Sequence, residues 1–218
     1  MRPRINAIVK NTFLFTIIIF LSLGCSGQNS RDNIKEIKVG GPCEGCEAIY
    51  EYGNTSLNNS VTLPGYEDHL PQLHINGIIY HPDGKPASNI IVYMYHTDRT
   101  GIYPTKGDEK GWARRHGYIR GWIKTDESGK YHVRTFRPAS YPSRTEPEHI
   151  HMTIKESGLS SYYIDDIIFN DDPLLTSPRR KLLKNRGGSG LVTPIDSNGI
   201  WIVNRDIHLG KNIPDYPK

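Results

Sequence analysis

Residues 73–95 read Leu73-His-Ile-Asn-Gly-Ile-Ile-Tyr80, His81-Pro-Asp-Gly-Lys-Pro86, Ala-Ser, Asn89-Ile-Ile-Val-Tyr-Met-Tyr95. Two runs rich in β-branched and aromatic residues flank a segment of turn chemistry. The chain is therefore expected to run as a strand, turn back in a hairpin or other sharp reversal, and run as a second strand. Working outward, similar short runs occupy residues 119–124, 130–135 after an Asp126-Glu-Ser-Gly turn, 149–155, 162–169 and 199–209. Short strands punctuated by Gly and Pro predict an all-β fold, an antiparallel β-sandwich with little helix, over residues 73–218. Residues 174–185 contain useful helix formers, and Pro178 limits them to one or two turns.

The N-terminus belongs to a different argument. Arg2, Arg4 and Lys10 precede an apolar run from Thr12 to Leu21, which ends in small residues at Leu23-Gly24-Cys25. A basic segment, a short apolar core and a small-residue end are the pattern of a signal peptide, here residues 1–24. Cys25 after Leu-Ser-Leu-Gly resembles the lipobox of bacterial lipoproteins, which implies a lipid on Cys25 and an exported, membrane-anchored protein of the cell envelope, in periplasm or at the cell surface. Without residues 1–24 the chain loses three of its 27 Lys and Arg and none of its 23 Asp and Glu, which leaves a net charge near +1. That balance points to no nucleic-acid partner.

Residues 25–72 read as a polar tether followed by an irregular arm. Cys43 and Cys46, the two remaining cysteines, suit a local disulfide in an oxidising compartment. A redox or metal-binding pair is the alternative for such a spacing.

His149 and His151 lie two apart in a strand-like run, Glu146-Pro-Glu-His-Ile-His-Met-Thr-Ile154. In a strand, residues i and i+2 share a face, so both imidazoles would stand side by side while Ile150 and Met152 face the core. Such a pair serves as metal ligands or as polar surface residues. Tyr103 and Tyr141 are each followed by proline, which favours extended backbone at the tyrosine and so restricts how a loop projects the phenol.

Taken in order, Tyr93-Met-Tyr-His-Thr-Asp-Arg-Thr-Gly-Ile-Tyr103, the run from Gly121 to Pro142 and the His-x-His pair resemble the core of the intradiol ring-cleavage dioxygenases, the group of protocatechuate 3,4-dioxygenase and catechol 1,2-dioxygenase. The resemblance implies a sandwich of the intradiol type and a mononuclear Fe(III) held by Tyr103, Tyr141, His149 and His151. It also implies a catechol substrate and O2, cleavage between the two hydroxyl-bearing carbons to a muconate-type diacid, and Tyr141 as the labile tyrosinate that takes a substrate proton. Family enzymes form oligomers, so a homo-oligomer is a further expectation.

One position departs from the family. Many members carry an arginine three residues before the first histidine, where this chain has Glu146. Arg137 and Arg144, on either side of Tyr141, are the candidates to supply that charge. Asp165 and Asp166 fall where the family places a polar residue near the substrate; adjacent strand residues point oppositely, and Asp166 is the choice. Trp112, His116 and Tyr118 could line the pocket mouth or pack, and His208 reads as an ordinary strand histidine. The turn motifs of residues 76–86 and 125–131 also resemble transthyretin-like and carboxypeptidase-regulatory-like domains, so a non-catalytic binding module is the competing function. Such modules have no need of two Tyr-Pro tyrosines together with His-x-His.

Overall fold

The computed structural model describes residues 36–218. The expected signal peptide and Cys25 lie outside the described residues. Within them no helix is long and apolar enough to cross a membrane.

Among the described residues eleven strands form two sheets: β1 Ser60–Thr62, β2 Gln72–Tyr80, β3 Ile91–Tyr95, β4 Arg120–Lys124, β5 Lys130–Phe136, β6 His149–Lys155, β7 Tyr162–Phe169, β8 Leu191–Val192, β9 Ile195–Ser197, β10 Ile200–Asn204 and β11 Ile207–His208. One sheet runs β1-β5-β2-β10-β9, with β11 also on β2; the other runs β4-β3-β6-β7-β8. The predicted sandwich is present, and the pairings among β3, β4, β6 and β7 and of β2 with β5 are antiparallel. Parallel pairs join them at β1 with β5, β10 and β11 with β2, and β7 with β8, so both sheets are mixed.

The expected hairpin of residues 73–95 takes its other form, a reversal between sheets. β2 pairs with β5 across Gln72↔Phe136 to Ile78↔Lys130, while β3 enters the facing sheet between β4 and β6. Pro82 and Pro86 offer no N–H for a ladder, and pairing stops at one bridge between Tyr80 and Pro86. Each strand has an apolar inward row, Leu73, Ile75 and Ile79 on β2 and Val92 and Met94 on β3. Facing sheets bury both rows against Ile150, Met152, Ile154, Ile164, Ile167 and Phe169. Each such side chain contributes about 1.5–3 kcal/mol. Gly77 takes an inward position because the carbonyl of Arg205 lies there; a Cβ would stand 2.1 Å from that oxygen.

The arm is more ordered than its composition suggests. Cys43 and Cys46 are joined as a disulfide, and a 3-10 helix, Cys46–Tyr50, begins after Gly45 at φ 83°. Ala48 and Ile49 bury against Tyr93, and Glu51 accepts from the Trp112 amide at 2.8 Å and pairs with Arg120 at 2.6 Å. Ser60–Thr62 then adds itself to β5. Among the described residues α-helix is limited to α1, Ala113–His116, and α2, Ser177–Leu182, the latter within the stretch expected and with Pro178 in its first turn. The single run expected over residues 199–209 breaks at Arg205-Asp206, where the Asp206 carboxylate accepts from the Ile78 amide and the Arg205 guanidinium turns inward onto the carbonyls of Gly187 and Asp206.

Candidate metal centre

The outer face of the β4-β3-β6-β7-β8 sheet gathers the chemistry. On β6, Ile150 and Met152 are buried while His149 and His151 point outward, as period-two alternation requires. Tyr103 arrives on the loop after β3 and Tyr141 on the loop after β5. Their four donor atoms converge: Tyr103 Oη lies 2.6 Å from Tyr141 Oη and 2.8 Å from His151 Nε2. Tyr141 Oη is 3.1 Å from His149 Nε2 and 3.3 Å from His151 Nε2, and the two Nε2 atoms are 3.1 Å apart.

Each imidazole is oriented from its other side. His149 Nδ1 donates to the Pro147 carbonyl at 2.7 Å, and His151 Nδ1 donates to Asp166 Oδ1 at 3.1 Å. The register between β6 and β7 slips here, from Ile150↔Ile167 to Met152↔Ile164, so Asp165 and Asp166 together oppose His151. The bulge aims Asp166 at the imidazole, while Asp165 faces the other way and accepts from the Asn185 amide at 2.7 Å. His151, His149 and Asp166 are also grouped closely enough to share a cation.

Electrostatics follow from burial. Desolvation, together with the hydrogen bond to Tyr141, pushes the Tyr103 phenol well above its ordinary value, and desolvation raises Tyr141 too. Burial and the neighbouring His151 push His149 down. Burial acts to raise Asp166, but the two histidines outweigh it and hold this carboxyl below the usual range. With both Nδ1 atoms donating, the two phenol protons are the donors left to four converging atoms. Replacing those two protons by one cation gives two anionic oxygens and two neutral nitrogens around it, a set that suits a hard trivalent ion such as Fe(III). The residues present therefore fit the metal.

Tyr103, Tyr141, His149 and His151 are brought together; the two arginines are not brought into hydrogen-bond contact with them. Arg137 is buried, paired with Glu148 and, at 2.8 Å, with Asp171, and stacked on Phe169 and Trp201. Arg144 is exposed at φ 53°. Glu146 is met by Arg179 of α2 at 2.9 Å, a partner 33 residues away that no local pattern announces. His116 and Trp112 pack: His116 stacks on Tyr95 at 3.8 Å and Trp112 on His116 at 5.3 Å, and Tyr95 in turn stacks on His151 at 4.5 Å. Tyr118 packs on the core, and His208 stacks on Tyr80. Tyr95 was missed by sequence reasoning, although its place on β3 opposite His151 follows from the register.

A cavity of about 310 Å³ opens beside His151, between residues 42–45 of the arm and Tyr95, Tyr163 and Asp166. A larger groove of about 620 Å³, lined by Asn76, His132 and Asp206 among others, belongs to the other sheet and touches none of the four converging residues.

Two packed sheets thus carry a cluster of two tyrosines and two histidines on one outer face. Residues 48–192 match the family model Dioxygenase_C, described as Dioxygenase, and the chain belongs to this family, that of the intradiol ring-cleavage dioxygenases. It is 27% identical over 107 residues to the protocatechuate 3,4-dioxygenase beta chain of Burkholderia cepacia, covering 46% of each chain. It is 32% identical over 106 residues to catechol 1,2-dioxygenase of Acinetobacter baylyi, covering 39% of this chain and 32% of that one. The matches thus span less than half the length of these curated relatives. The fold is similar to the solved catechol 1,2-dioxygenase of Acinetobacter sp. ADP1, with TM-score 0.53, 21% identity, and coverage of 72% of this chain and 59% of that one.

Proposed function

We propose that this protein is an Fe(III)-dependent dioxygenase that opens the ring of a catechol-type aromatic with O2, between the two hydroxyl-bearing carbons, to a muconate-type diacid. The convergence of Tyr103 Oη, Tyr141 Oη, His149 Nε2 and His151 Nε2 on one point carries the reading. Bound there, ferric iron would supply Lewis-acid activation of the aromatic diol. Tyr103 and Tyr141 would hold the ion as tyrosinates, their protons released to solvent and their two negative charges offsetting part of its charge. Tyr141 then takes back a proton from a substrate hydroxyl at its Oη as the diol enters. His149 and His151 stay neutral, because Pro147 and Asp166 hold their protons on Nδ1 and leave Nε2 free to ligate. Arg137 acts at one remove, holding Glu148 and with it the backbone that leads into His149. A plain binding module would have no use for four such donors at one point.

Loading the purified protein with ferric iron tests this. The expected result is a visible tyrosinate-to-iron charge-transfer band that shifts when a catechol is added, with one O2 consumed per diol. Tyr103→Phe, His149→Ala and His151→Ala should each abolish iron retention. A colourless protein that takes up no ferric iron overturns the assignment. For location, the reading is a lipid on Cys25 as anchor, and the mass of the mature N-terminal peptide from the native host checks it.

A further inference from the structure

The two loops that carry the tyrosines are tied to each other. Thr97 Oγ1 donates to the Ala139 carbonyl at 2.7 Å, and the Ala139 amide donates back to the Asp98 carbonyl at 3.1 Å. Arg99 Nη1 donates to the Arg137 carbonyl at 2.8 Å and to the Pro138 carbonyl at 3.2 Å. Gly101, at φ 81°, lies so close to the same segment that a Cβ would stand 2.1 Å from the Ser140 carbonyl oxygen. These ties lead into Tyr103 and Tyr141, whose hydroxyl oxygens are 2.6 Å apart. The two sides are not equally supported. The Tyr103 loop has its own braces: Asp98 Oδ1 accepts from the Thr100 and Ile102 amides at 2.7 and 3.2 Å, and the Pro104 carbonyl accepts from the Tyr118 amide at 3.0 Å. On the other side, among the described residues, the backbone hydrogen bonds that residues 138–140 make to other segments all run to residues 97–99. Residues 142–146, which follow Tyr141, are exposed.

We infer that Thr97 and Arg99 are positioning residues of the metal centre: they clasp the Tyr141 loop to the Tyr103 loop at the spacing that lets one ion take both phenol oxygens. The inference rests on the ferric centre proposed above and adds to it two residues that are not among its four ligands. A loop already ordered by the clasp meets the ion at little further entropy cost, whereas an unclasped loop must be ordered as the ion binds, and affinity falls by that amount. Arg99 is exposed, so its removal leaves the core intact. Its charge gives the test a sign. Were Arg99 felt only as a cation near the site, removing it would strengthen the binding of a trivalent ion; as a clasp, removing it weakens that binding.

The test measures ferric-ion affinity of the full chain by competition with citrate, read on the tyrosinate-to-iron charge-transfer band. Arg99→Met removes two hydrogen bonds of the clasp and a charge; Thr97→Val removes one hydrogen bond and no charge while keeping the buried shape. Circular dichroism first confirms that each variant is folded under the conditions of the titration, so that global stability does not enter the constant. Each variant is expected to bind ferric iron at least about fivefold more weakly than the parent, the size of one lost hydrogen bond, with a displaced or broadened band. Arg144→Met is the control: it removes the same charge from the loop after Tyr141 without touching the clasp, and its affinity should not fall. Parental affinity in Arg99→Met or in Thr97→Val, or an equal loss in Arg144→Met, overturns the clasp and leaves the ferric centre standing. A parent protein that takes up no ferric iron overturns the centre itself, and the clasp falls with it.

Discussion

His96 lies directly after Tyr95, the residue that backs His151, and is fully buried. Its Nδ1 donates to the Thr97 carbonyl at 2.7 Å, and its Nε2 accepts from the Thr135 hydroxyl at 2.6 Å. Burial disfavours the charged ring, and its pKa is pushed down to about 4 from 6.5. The unfolded chain takes up a proton on this residue below about pH 6.5, whereas the folded protein refuses it until about pH 4. Stability contributed by neutral His96 is thus complete above pH 6.5 and is lost as pH falls from 6.5 towards 4. The whole shift corresponds to about 3 kcal/mol, of which about 2 kcal/mol falls between pH 7.5 and pH 5. Urea unfolding of the metal-free protein at those two pH values measures it. His96→Gln, which keeps a donor and an acceptor without a titrating ring, should cost about 1–2 kcal/mol at pH 7.5 and shrink the decline between the two pH values by about 2 kcal/mol. A variant whose stability falls as steeply as the parent's between pH 7.5 and 5 would refute the reasoning.

Gly77→Ala places a methyl group 2.1 Å from the Arg205 carbonyl, so the β2 to β11 region must shift; a loss of about 3 kcal/mol or more is expected in thermal and urea unfolding. The Cys43–Cys46 disulfide closes a very short loop, so Cys43→Ser with Cys46→Ser should lower stability by no more than about 2 kcal/mol, read by urea unfolding with and without reductant. Phe169 is fully buried beneath Arg137; Phe169→Ala should cost about 3–5 kcal/mol, and circular dichroism with urea unfolding would show it.

Strands were legible where burial imposes a strong pattern. β6 and β7 coincide with the runs expected from sequence, because both carry buried apolar rows that alternate with outward residues. β1, β8 and β9 have two or three residues each, too few for any period to emerge, and exist because a longer neighbour offers an open edge. α1 is one turn, held by its packing of His116 on Tyr95 rather than by any helical periodicity. The arm gained its order from contacts of Ala48, Ile49 and Glu51 with Tyr93, Trp112 and Arg120, residues 44–69 positions away along the chain that composition cannot anticipate.

By itself the sequence determined the two-sheet character of the chain and the pairing of two histidines on one strand face, since alternation and turn chemistry are local properties of the backbone. It also supplied the two Tyr-Pro tyrosines in their order. Only the tertiary structure decided that strands 72–80 and 91–95 belong to different sheets, and that Asp166 rather than Asp165 reaches His151 through a bulge. It likewise decided that Glu146 is answered by Arg179, and that Arg137 spends its charge on Glu148 and Asp171. Each of these is a pairing between groups distant in sequence, set by which apolar faces must be buried together and by which charges that burial leaves side by side.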